Sequence, residues 1–159
     1  MHRRAKQLIE ELALQPHPEG GFFREIHRSP LKVQPQDARP LRNALTTIYF
    51  LLPAASFSRW HCVASDEVWH LYEGGPLELR IADPRFEHVD VRRLEAVTST
   101  TGPVAIVPAS YWQAARPLSD YALIGATVGP GFEFSDFRFL STSSELAGRL
   151  HDPVDRSLL

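Results

Sequence analysis

One cysteine, Cys62, is present in 159 residues, so no disulfide can form within the chain. Basic charge is not in excess either. Lys and Arg number 17 against 19 Asp and Glu, a net charge of −2 at pH 7, which lacks the electrostatic footprint of a general nucleic-acid binder. No apolar run approaches the roughly 20 residues of a membrane span. The basic start, Met1-His2-Arg3-Arg4, is followed by Leu8-Ile9-Glu10-Glu11-Leu12, where two carboxylates break the apolar region a signal peptide requires. Internal repeats, low-complexity segments and charged tails are missing too. The expectation is a cytoplasmic chain with neither nucleic acid nor membrane as partner.

Proline, by contrast, is plentiful at 13 residues, and most prolines fall between apolar runs, the punctuation of a turn-rich β protein. The length suits one well-buried core, giving a single domain over 1–159. Residues 3–14 read as an amphipathic helix, with Ala5, Leu8, Ile9 and Leu12 on one face. From 21 to 140 the helical period is lost. Strands are expected at 21–28, 44–52, 57–63, 67–73, 77–82, 88–94, 104–107, 111–116, 121–128 and 132–140, with 29–43 a long loop or irregular edge. Gly74-Gly75-Pro76, Asp83-Pro84, Gly102-Pro103 and Gly129-Pro130-Gly131 are among the turn signals between them. Many short strands so spaced indicate a sandwich or barrel. Thr142-Ser-Ser-Glu145 has the form of a capping box opening a short C-terminal helix within a tail of 142–159.

The chemistry concentrates between His61 and Gly75. Strand alternation points Glu67, Trp69 and Leu71 one way, and Val68, His70 and Tyr72 the other. A carboxylate between apolar neighbours is costly to bury unless it is paired, metal-bound or at a wet cavity. Its bland alternative is a solvated strand start after Ser65-Asp66, just as His61 on its own would be a core histidine bonded to a backbone carbonyl. His70, by parity, reaches the side of Glu67 only if a bulge re-aims it. In His17-Pro-Glu-Gly-Gly21, Gly20 and Gly21 permit positive φ. Either this is plain loop chemistry, or Glu19 and Arg24 line a pocket mouth, with Arg24 offering a fork for a carboxylate or phosphate. The aromatic residues Tyr49, Phe57, Trp60, Trp69, Tyr111, Trp112, Phe132 and Phe134 belong mostly to the core by default, and one or two of them can form a stacking wall.

The region also resembles the cupin superfamily. The superfamily's first motif has a histidine pair, a glutamate three or four residues on, then six residues and a glycine. Glu67 to Gly74 matches the second half, His61 takes the first-histidine place and Val63 stands at the second. Gly102, Pro108, Ser110 and Gln113 fall at the spacings of the second motif, with Ser110 replacing a glycine and Gln113 a histidine. His17-Pro-Glu-Gly-Gly21, Ile48-Tyr-Phe-Leu-Leu52, Ser65-Asp-Glu-Val-Trp-His70 and Gly129-Pro-Gly-Phe132 resemble more closely the single-domain cupin type 5 family, which shares its fold with the dTDP-sugar epimerases of rhamnose biosynthesis.

The resemblance implies an all-β double-stranded β-helix, a jelly roll with short terminal helices, that forms a homodimer and holds a small-molecule ligand in its barrel. His61 and Glu67 are then the catalytic candidates for an isomerase- or epimerase-like enzyme acting on a small polar or sugar-like substrate. Gln113, Trp69, Arg24, Glu19, Tyr49 and His70 are the ligand-binding candidates. Two alternatives stay open: a metal-dependent cupin enzyme using His61, Glu67 and Gln113, and a non-catalytic binding or sensing module. No organic cofactor is expected. With valine at the second histidine place, any divalent metal is expected to bind weakly or substoichiometrically.

Overall fold

The fold is described from a computed structural model covering residues 1–159. Helix α1 (Arg3–Glu11) opens the chain with His2 as its cap. It ends three residues before the expected 14, because Ala13 turns to φ +49° and returns Leu14 to the apolar side. Thirteen antiparallel strands follow: β1 (Gln15–Pro16), β2 (Phe22–Arg28), β3 (Lys32–Val33), β4 (Arg42–Asn43), β5 (Thr46–Pro53), β6 (Ser58–Val63), β7 (Asp66–Gly74), β8 (Leu77–Ala82), β9 (Val89–Leu94), β10 (Val104–Val107), β11 (Trp112–Pro117), β12 (Tyr121–Gly129) and β13 (Phe137–Phe139). Two short helices, α2 (Ser144–Ala147) and α3 (Pro153–Ser157), close it.

Two sheets carry the architecture. One has the order β1-β2-β5-β12-β7-β10 and the other β13-β6-β11-β8-β9, with β3 and β4 pairing alone. Alternation sorts the side chains. On β5, Ile48, Phe50 and Leu52 join the inner core with Trp69, Leu79 and Ile124, while Leu51 turns outward to meet Ala5 and Leu8 of α1. The rest of that outer face stays uncovered, with Tyr72, Val104 and Ile106 exposed. The second sheet buries Trp60, Cys62 and Trp112 against Leu140, Leu150 and Leu158 of the C-terminal segment.

Two local expectations are corrected. The stretch 132–140 is not one strand: Phe134–Asp136 form a 3₁₀ turn and only Phe137–Phe139 pair. The reason is Asp136, which accepts from Arg42 Nε at 2.8 Å and Nη2 at 2.7 Å and so pulls the chain out of extension. Those bonds also tie the 29–43 loop, through β4, to the segment closing the barrel. The capping residue of α2 is Ser143, not Thr142, whose hydroxyl instead donates to the Phe139 carbonyl at 2.7 Å.

Helix α3 starts on Asp152 with Pro153 in its first turn, a pre-organised beginning. Its Asp155 carbonyl accepts from Trp60 Nε1 at 3.0 Å, and Leu158 is buried behind it. Leu158→Ala is expected to lower stability by about 2–5 kcal/mol, read from urea unfolding. Since α3 lies on the outer side of the second sheet, ligand binding between the sheets is expected to survive.

Candidate functional site

Between the sheets, bordered by Phe50, Ile48 and Phe23 of the inner core, lies a cavity of about 100 Å³. How it acquires its polar groups begins with a turn. His17 N–H donates to the Gly21 carbonyl and Gly20 N–H to the His17 carbonyl, each at 3.0 Å, while the Glu19 carbonyl accepts from Arg59 N–H at 2.9 Å. The turn is thereby clamped to β6. Gly20 sits at φ +118°, and a Cβ there would lie 2.0 Å from the Phe57 oxygen. Only glycine fits. The result is that Glu19 points inward and is buried.

There it meets His61. Glu19 Oε2 stands 3.2 Å from His61 Nε2, and Glu19 Oε1 accepts from the Ser58 hydroxyl at 2.9 Å. His61 Nδ1 faces the Arg59 carbonyl at 2.7 Å. A carbonyl only accepts, so Nδ1 carries hydrogen and the atom facing Glu19 is the one that gains or loses a proton. Burial pushes Glu19 up and His61 down. Both shifts favour the uncharged arrangement, with one proton shared along the Oε2–Nε2 line and resting on Glu19. His17, edge-on to Phe23 at 4.4 Å, adds a second imidazole near Glu19, also held down by burial.

Glu67 enters from the facing sheet on the inner side of β7. Its Oε2 accepts from Gln113 Nε2 at 2.5 Å. Gln113 is oriented in turn by Trp69, whose indole N–H donates to Gln113 Oε1 at 2.9 Å. An indole can only donate, so the Gln113 oxygen is spent and its NH₂ must face Glu67. Burial pushes Glu67 up to about 7, with Glu19 adding to the rise while His61 and Gln113 oppose it.

The structure brings His61, Glu67 and Glu19 to one cavity and sets Gln113 and Trp69 behind Glu67. Glu19 is deep rather than at the mouth, and Trp69 is a core residue that positions Gln113 rather than a stacking wall. Three expected ligand-binding residues fall elsewhere. Arg24 and Tyr49 lie on the outer face, the guanidinium 6.0 Å from the ring, and His70 stacks on Tyr72 on that same face. Strand parity separates them from the cavity, and the irregularity in β7 pairing lies beyond His70, opposite Leu123 and Ile124.

Other residues at the mouth were missed. A register shift between Glu25 and His27 puts Arg28 on the inner face with Phe23 and Glu25. Glu133 and the rings of Phe132, Phe134 and Phe137 complete the rim. Of these, Phe132 and Phe134 belong to the aromatic set of which one or two members were expected to form a stacking wall, whereas Arg28, Glu133 and Phe137 were not anticipated, and nothing local signals a bulge.

A metal, as the fold family implies, does not fit these residues. No three His, Cys, Asp or Glu side chains are grouped to hold one. Val63 contributes no donor, His61 is engaged on both nitrogens, and the Gln113 oxygen faces Trp69 instead of a cation. The ligand set His61, Glu67 and Gln113 is therefore corrected.

Glu67 also couples stability to pH. The folded state holds its proton more tightly than an unfolded carboxyl near 4.5, so this group's contribution is lost as pH rises from there to about 7. Glu67→Gln keeps an oxygen for Gln113 and removes the titration. Relative to wild type the variant is expected to gain stability with pH across that window, by roughly 3 kcal/mol at most at the alkaline end, in denaturant melts at pH 5 and 8.

Comparison with known proteins agrees with this architecture. Residues 6–140 match the model of the family described as Cupin superfamily (DUF985). The uncharacterized protein YML079W of Saccharomyces cerevisiae is 29% identical over 89% of this chain and 77% of its own length. A hypothetical protein from Leishmania major superposes with a TM-score of 0.86 at 29% identity, covering 97% of each chain. Protein SO0799 from Shewanella oneidensis gives 0.85 at 30% identity over 97% of this chain and 96% of its own. Oxalate decarboxylase from Bacillus subtilis shares the fold at a TM-score of 0.58 and 14% identity, over 89% of this chain and 32% of its own. No helix is long and apolar enough to cross a membrane. With most of its length matched by that model, the chain belongs to the DUF985 family of the cupin superfamily.

Proposed function

We propose that the cavity is an acid–base centre and the protein an isomerase- or epimerase-like enzyme acting on a small polar molecule. The observation that carries this reading is the 3.2 Å approach of Glu19 Oε2 to His61 Nε2 in the same cavity as Glu67. A group held near neutral pH is efficient in both directions of proton transfer, and burial places Glu67 at about 7. Two titrating sites whose surroundings push them apart supply the acid and the base.

In the reaction envisaged, the Glu67 carboxylate takes a proton from carbon next to a carbonyl. The Glu19–His61 pair gives one to the carbonyl oxygen, forming the enol. Return of a proton to the other face or the neighbouring carbon, with the pair recovering its own, yields the isomer. No proton is gained or lost overall. Ser58, Arg59 and Gln113 are positioning residues that hold the carboxyl groups and imidazole in register.

The test is hydrogen–deuterium exchange at carbon in a panel of small hydroxy- and amino-carbonyl compounds in D₂O, followed by NMR. Wild type is expected to catalyse exchange in at least one. Glu67→Gln and His61→Asn are each expected to slow it by about 10²–10⁴-fold while remaining folded, and a chelator is expected to change nothing. Binding without exchange would instead identify a sensing module, and exchange abolished by the chelator would identify a metal enzyme.

A further inference from the structure

The inventory of charges and hydrogen-bond donors around the cavity bears on what it can hold. This step rests on the acid–base reading only for the location of the site. Four carboxyl groups line the cavity, those of Glu19, Glu25, Glu67 and Glu133, against one permanent cation, Arg28. Arg28 is fully spent. Its Nε and Nη2 donate to Glu25 at 3.0 and 2.8 Å, Nη1 to Glu133 at 2.9 Å and Asn43 at 3.2 Å, and Nη2 again to the Phe132 carbonyl at 3.2 Å. A guanidinium has five N–H groups, and each has an acceptor here. Lys32, also on Asn43 Oδ1 at 3.1 Å, lies outside the lining.

A phosphate or carboxylate entering this cavity would therefore find no unused N–H of Arg28. It would face instead the net negative charge of Glu25 and Glu133 around Arg28, and the Glu67 carboxylate beyond. The neutral donors of the lining, such as the Thr46 hydroxyl and the His17 ring N–H, add no positive charge, so the excess of carboxyl groups calls for a cationic ligand with N–H groups. The wall opposite is aromatic: Phe132 meets Phe134 at 5.1 Å and Phe137 at 6.1 Å between ring centres, edge to face. Ring faces beside carboxylates attract an organic ammonium, the rings by their quadrupole and the carboxylates by charge.

We infer that the ligand is a small organic cation, a protonated amine on a compact apolar body, its charge held among the cavity carboxylates and its carbons beside the Phe132–Phe134–Phe137 wall. A cavity of about 100 Å³ suits such a body.

Three probes of similar shape separate the possibilities: cyclopentylamine, cyclopentanol and cyclopentanecarboxylate, each titrated at pH 8 by calorimetry and thermal shift. The amine is expected to bind about tenfold more tightly than the alcohol, and the carboxylate not to bind. Glu67→Gln is expected to erase most of the preference for the amine over the alcohol. Equal or tighter binding of the alcohol or carboxylate, an unchanged amine preference in Glu67→Gln, or no binding of any probe at millimolar concentration would each overturn the inference. None of these touches the acid–base reading, which is decided separately by the carbon-exchange experiment, its variants and its chelator control.

Discussion

The clamp between the 17–21 turn and β6 is the contact on which the site depends. Arg59 N–H donates to the Glu19 carbonyl at 2.9 Å, while the carbonyl of the same Arg59 receives His61 Nδ1 at 2.7 Å. One residue of backbone thus fixes both members of the acid–base pair. Glu19 and His61 are thereby held facing each other across 3.2 Å. Gly20 makes the approach possible, since any side chain there would collide with Phe57. The cost of burying Glu19 is offset by Ser58 and by a shared proton, which keeps the pair uncharged.

The rim is held by a separate device. Arg42 and Arg39 grip Asp136, the latter at 3.2 Å, and so bend the chain that presents Phe132 to Phe137 over the cavity. Arg28 joins Glu25 of β2 to Glu133 of that segment. The Arg28 pairs, exposed at the rim, contribute little to stability, typically about 0–1 kcal/mol each, unlike the buried Arg42–Asp136 pair. Their consequence is geometric: the aromatic wall is attached to both sheets through polar contacts, while the interior stays apolar around a few titrating groups.

Stability comes from elsewhere in the molecule. The inner core around Phe50, Trp69 and Ile124, the second core behind Trp60 and Trp112, and the patch under α1 account for nearly all the buried apolar side chains. These surround the cavity without filling it. A fold so supported can tolerate Glu67, a carboxyl whose ionisation burial opposes. That is the usual distribution of strain between a site and its scaffold.

Much of this was readable in the chain alone. Strands at 77–82 and 104–107 coincide with their alternating or apolar runs and bounding turns. Parity placed Glu67 and Trp69 on one face and His70 on the other, because a period of two is a local property. Local reasoning stopped where no period existed. Residues 44–52 are apolar on both faces, so nothing in the pattern shows that Tyr49 faces out and Phe50 in. The bulge that turns Arg28 inward is a property of β2 paired with β5, visible only once the strands meet. The 3₁₀ turn at Phe134–Asp136 required Arg42, 94 residues away in sequence. The residue types and the turns were local matters. Which carboxyl group met which imidazole, and the spending of every Arg28 donor at the cavity mouth, were decided by tertiary structure, since those contacts join strands distant in sequence and exist only when both sheets have closed around them.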